Sequence, residues 1–148
     1  MRMEPLQLFH SWPLSEKRQH FRLGHLLNSA VAEIAQPPEA AVPGPHHAGC
    51  WECDLADNAL TWSGGVYDIF ALPRGVEVSR EEAAALYTEE SRAAMERLRA
   101  YAIKHRRGFT LDAEIRPAAG APRWMRLIAA PALEGDRVVR LHGIKLVI

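Results

Sequence analysis

The chain has 148 residues, of which 48% are hydrophobic and 24% charged, with 18 basic residues set against 18 acidic ones. That length buries one sizeable core and excludes two, and the composition excludes the disordered and fibrous classes. A balanced charge supplies no field to draw the chain onto nucleic acid or an anionic membrane, so neither is expected as a partner.

The opening Met1-Arg2-Met3-Glu4-Pro5 lacks the apolar run of a signal peptide, which points to a cytoplasmic location. The two cysteines do not make a disulfide framework, in keeping with a reducing compartment. Residues 1–14, with Pro5 and Pro13, read as an irregular tail or a docking arm. From Ser15, a cap residue, Leu23, Leu27, Ala30, Val31 and Ile34 recur at spacings of three and four, the stripe of an amphipathic helix that Pro37 and Pro38 end near Gln36. Residues 15–45 are thus a helix and a Pro-rich linker, and residues 46–148 are the main domain. Leu23, Leu27, Val31 and Ile34 must be buried on the domain or against a second copy; the linker favours a homodimer.

Trp51 to Leu55 and Ala59 to Ser63 are two short strands around the turn formers Asp57 and Asn58. Ser63 caps a short helix carrying Val66, Tyr67, Ile69 and Phe70, ended by Pro73-Arg74-Gly75. Ser79 and Glu82 form a capping box for a second helix, and a longer one runs from Thr88, with Met95, Leu98, Ala102 and Ile103 on one side, to just before Gly108. Phe109, Leu111, Ala113 and Ile115 then alternate with Thr110, Asp112, Glu114 and Arg116, a strand with one wet face. Arg123 to Ala130 and Arg137 to Val147 complete the set. Strands flanking a block of helices predict an α+β fold: an antiparallel sheet with its helices gathered on one side.

Gly49-Cys50-Trp51-Glu52-Cys53-Asp54-Leu55, Val66-Tyr67-Asp68-Ile69-Phe70-Ala71-Leu72-Pro73 and Gly120-Ala121-Pro122-Arg123-Trp124-Met125-Arg126, followed by Val139-Arg140-Leu141-His142-Gly143, resemble in order and spacing the motifs of the PAS domain family, including its PAC motif. The resemblance implies a five-stranded sheet of order 2-1-5-4-3, with Trp124 at least half buried, enclosing a small cavity. It also implies a sensory or protein-interaction role. Ala71 stands where the family's helix ends in glycine. The effector-leading Asp-Ile-Thr is replaced by Lys145-Leu146-Val147-Ile148, so a stand-alone module with no covalent effector is expected.

Around the cavity we place Tyr67, Phe70, Leu86, Met95, Leu98, Trp124 and Leu141, residues that equally suit a filled core; Ala83, Ala84, Ala85, Ala129 and Ala130 leave space. Neither of the two middle helices carries a histidine on its apolar face for a haem, and the cysteine-bearing helical motif of a flavin sensor is not written here, so the cofactor is unknown and the domain equally suits having none. His142, in phase with Arg140, reads as a rim residue rather than a cavity one. Cys50-Trp51-Glu52-Cys53, downstream of His46 and His47, is formally a Cys-x-x-Cys. In an extended strand its Cα atoms lie about 10 Å apart on opposite faces, beyond the roughly 7 Å reach of a disulfide, so no metal is expected there.

The sequence therefore predicts a non-enzymatic signalling domain that binds a partner protein and a small apolar ligand. One rival is a small α+β enzyme with a carboxylate or histidine of shifted pKa in the cavity. The other is a zinc or redox module at Cys50 and Cys53.

Overall fold

The computed structural model describes residues 9–22 and 48–148. The chain begins with strand β1 (Phe9–Pro13), a 3₁₀ turn (Leu14–Glu16) and helix α1, of which residues 17–22 are described. Then come β2 (Ala48–Asp54), β3 (Leu60–Trp62), α2 (Gly64–Phe70), α3 (Arg80–Ala85), α4 (Glu89–His105), β4 (Arg107–Ile115), β5 (Arg123–Glu134) and β6 (Arg137–Val147). The stripe Leu23, Leu27, Val31 and Ile34 lies outside the described residues.

The sheet has six strands, in the order β1-β4-β5-β6-β2-β3, and every pairing is antiparallel. The five expected strands are β2 to β6, and they stand in the expected order 2-1-5-4-3. The sixth corrects the reading of residues 1–14 as an irregular tail: β1 pairs with β4, Trp12 opposite Gly108. Pro13 is tolerated because β1 lies at the edge of the sheet.

Local chemistry explains most element ends. At the β2–β3 turn the Asp54 carboxylate accepts from the Ala56 amide at 2.9 Å and Asp57 from the Ala59 amide at 3.0 Å, while Asn58 takes a positive φ of 59°. Ser79 and Glu82 make the reciprocal capping box at α3. Ser63 occupies the cap position of α2, but its hydroxyl accepts from the Cys50 amide at 2.9 Å instead of a helix amide. The α2 helix rests directly on β2, since a Cβ on Gly65 would stand 1.8 Å from the Ala48 carbonyl oxygen.

Two cores sit on opposite faces of the sheet. On one, α2, α3 and α4 bury Val66, Ile69, Phe70, Ala83, Met95, Leu98 and Ala102 against Phe109, Leu111, Ala113, Ile115, Met125, Leu127 and Ala129. On the other, Trp12 packs with Ile128, Ala130, Ile144 and Leu146, flanked by Leu14 and Phe21. Thr110 and Asp112, expected on a wet face of β4, are 4% and 3% exposed. Thr110 accepts a hydrogen bond from Trp12 Nε1 at 3.0 Å, and Asp112 takes a two-pronged ion pair from Arg126, at 2.8 and 3.1 Å. The N-terminal segment thus covers part of a face that alternation alone assigns to water.

Candidate functional site

A pocket of about 60 Å³ opens between the helices and the inner face of the sheet. Strand alternation places Trp51 and Cys53 of β2, Leu127 of β5, and Leu141 and Lys145 of β6 on its walls; α3 adds Ala83 and Ala84, α4 adds Met95 and Arg99, and Tyr87 closes it from the link between these helices. Cross-strand pairing of Trp51 with Trp62 sets two indoles side by side.

Lys145 is the unusual member. Its side chain is 6% exposed, and Nζ lies 5.0 Å from the Phe70 ring centre, 5.4 Å from Trp51, 5.6 Å from Trp62 and 5.7 Å from Tyr87. Its one hydrogen bond among the described residues is donated to the Tyr87 hydroxyl at 3.3 Å, and no carboxylate pairs with it. Burial strips water from the ammonium and drives the lysine pKa down to about 7. The ring faces attract the charged form and act against that shift. Burial, followed by the Glu96 carboxylate, pushes the Tyr87 phenol well above its ordinary range, so it stays protonated.

Trp51 Nε1 and Trp62 Nε1 are also buried, and neither has a hydrogen-bond partner among the described residues. At the pocket margin Arg80 is bonded to Glu96, and Arg99 reaches the Asn58 side-chain oxygen at 3.2 Å. Burial raises the Cys53 thiol pKa, with Arg99 opposing. Among the described residues the pocket walls present donors and cations and no carboxylate or histidine.

Of the residues placed around a cavity from the sequence, Met95 and Leu141 line it. Phe70 and Leu98 are buried in the surrounding core, with Tyr67 and Leu86 packed against it. Trp124 is more than half buried but does not line the pocket: Met125, Leu127 and Ala129 take the inner face of β5, so alternation turns Trp124 to the other side. His142, in phase with Ile144, lies on that outer face edge-on to Phe21 at 5.4 Å, and burial lowers its pKa. Cys50 is exposed and Cys53 buried, as opposite faces of one strand require; His46 and His47 lie outside the described residues. Lys145, Trp51 and Trp62 were missed. Counting by twos back from the end of β6 links Lys145 to Leu141 and finds it.

No family model matches the sequence, and no curated protein matches it. Solved structures do. The N-terminal domain of a diguanylate cyclase with a PAS/PAC sensor from Marinobacter aquaeolei superposes with a TM-score of 0.62 at 16% identity, over 68% of this chain and 94% of that one. An RNA-binding light-oxygen-voltage receptor gives 0.61 at 16% identity over 68% of this chain, which spans only 29% of the receptor. The LOV domain of a blue-light activated histidine kinase from Erythrobacter litoralis gives 0.54 at 19%, over 72% and 98%. The chain has the PAS fold. For scale, an engineered cavity of about 150 Å³ takes up one benzene, against about 60 Å³ here, so the pocket as it stands is smaller than a flavin or haem, and Cys53 sits on a strand. Among the described residues no helix is long and apolar enough to cross a membrane.

Proposed function

We propose that this chain is a sensory and signalling module that binds a small molecule in the pocket and transmits its occupancy to a partner protein, without catalysing a reaction. One observation carries this reading: Lys145 lines the pocket with its side chain buried, and among the described residues its Nζ has one hydrogen bond and no carboxylate beside it. Groups left short of partners inside a preformed aromatic pocket favour an occupant that completes them.

A thermal-shift screen of small molecules, followed by hydrogen exchange on the hits, tests it. Hits are expected to slow exchange in β2 and β6, the strands that carry Trp51 and Lys145. A screen in which nothing stabilises the protein, or in which hits protect only other elements, overturns it.

A further inference from the structure

We propose that the pocket is an anion site for a short-chain monocarboxylate, held by Lys145 Nζ on a wall that Trp51 and Trp62 share. This assignment rests on reading the pocket as a ligand site and names the ligand's chemistry.

The donor set points to an acceptor. Among the described residues Lys145 uses one of its donor positions, on Tyr87. A neutral apolar occupant leaves the remaining positions unpaired, and a cation meets Lys145 with Arg80 and Arg99 at the rim. A carboxylate supplies acceptor oxygens and the countercharge that the buried ammonium lacks. The volume of about 60 Å³ suits an occupant of the size of acetate or propionate.

Binding is linked to a proton. The groups that face Lys145 are Cys53 from β2, Tyr87 from the link, Arg80 from α3 and Arg99 from α4, with Glu96 committed to Arg80. None supplies the missing negative charge at neutral pH, since burial keeps Cys53 and Tyr87 protonated. An entering carboxylate stabilises the ammonium, so above pH 7 it brings a proton in with it.

The test is titration of the whole chain with acetate, propionate and the neutral isostere acetamide, read on the indole ¹⁵N–H resonances. Acetate is expected to shift the Trp51 and Trp62 signals while Trp12, already bonded to Thr110, stays still. Acetamide should bind at least about tenfold more weakly, and Lys145→Met should weaken acetate by about tenfold or more. In wild type the affinity should fall by up to tenfold per pH unit above pH 7, a readout that needs no variant. Equal binding of acetate and acetamide, undiminished binding to folded Lys145→Met, or a pH-independent affinity overturns the anion assignment. Neutral screening hits that protect β2 and β6 in Lys145→Met would overturn it while leaving the sensory reading in place.

Discussion

Lys145 Nζ donates to the Tyr87 hydroxyl at 3.3 Å, joining two buried side chains 58 residues apart in sequence. The pair ties the last strand to the link between α3 and α4 across the pocket. It also makes the fold sensitive to pH, because one partner is a charge taken out of water without a counter-ion.

The folded-state pKa of Lys145, about 7, lies below the ordinary lysine value of 10.5. Between these values the unfolded chain binds more protons, so stability rises with pH across that window, and below pH 7 the full cost is present. From pH 7 to 9 the gain is expected to be about 2 kcal/mol, given a limit near 1.4 kcal/mol per unit. Above pH 9 Cys53 and then Tyr87, whose pKa values are raised, begin to act with the opposite sign. Urea unfolding at pH 7, 8 and 9 checks it: Lys145→Met should be flat over this range and more stable than wild type at pH 7. A wild-type curve as flat as the variant's is the contrary result.

Helix α2 ends on Ala71 at φ 56°, a left-handed conformation that an L-residue with a Cβ adopts at a cost of roughly 1–2 kcal/mol. Glycine removes that cost and returns part of it as unfolded-state entropy. Ala71→Gly is therefore expected to stabilise the protein by about 0.5–1 kcal/mol, seen as a higher urea midpoint at unchanged slope. A loss of stability would mean that the Ala71 methyl contributes more in packing than its backbone costs.

The order of β2 to β6 came from the family resemblance; what the residues themselves made legible was the strands, most plainly the alternation of β4, and the turns, Asp57-Asn58 and Gly135-Asp136 among them. Strand β1 was not legible, since it buries Trp12 alone and carries Pro13. That omission cascades: without β1, Thr110 and Asp112 fall on a surface. At the pocket the resemblance led to Trp124 through its motif, whereas alternation puts its neighbour Met125 inward. Lys145 was passed over because a cation seldom faces a core. Its phase with Leu141 was nevertheless readable, and Trp51 and Trp62 were in view as motif residues without being assigned to the cavity.

Pairing of two copies through Leu23, Leu27, Val31 and Ile34 is a proposal from helical spacing. Burying four such side chains contributes on the order of 6–10 kcal/mol before ordering costs, enough for a stable dimer. Leu27→Glu places a charge in that seam. Sedimentation should give a dimer for wild type and a monomer for the variant; two monomers, or two dimers, reject the seam.

Trp12 lies flat on β4 because residue 108 has no side chain. A Cβ on Gly108 would stand 2.1 Å from Trp12 Cζ3 and 2.2 Å from Cη2, well inside contact distance. Alanine there must therefore push out a ring that is 2% exposed, stacked 4.2 Å from His20 and bonded through Nε1 to Thr110. Overpacking and the orphaned hydroxyl together should cost Gly108→Ala about 2–3 kcal/mol. In a Trp12→Ala background the clash has no target, and the same substitution should cost less than about 0.5 kcal/mol. The difference is the coupling between β1 and β4, measured by urea unfolding of the four proteins in the cycle. An equal cost in both backgrounds would mean that Gly108 is required by the β4 backbone itself and that β1 docks independently of it.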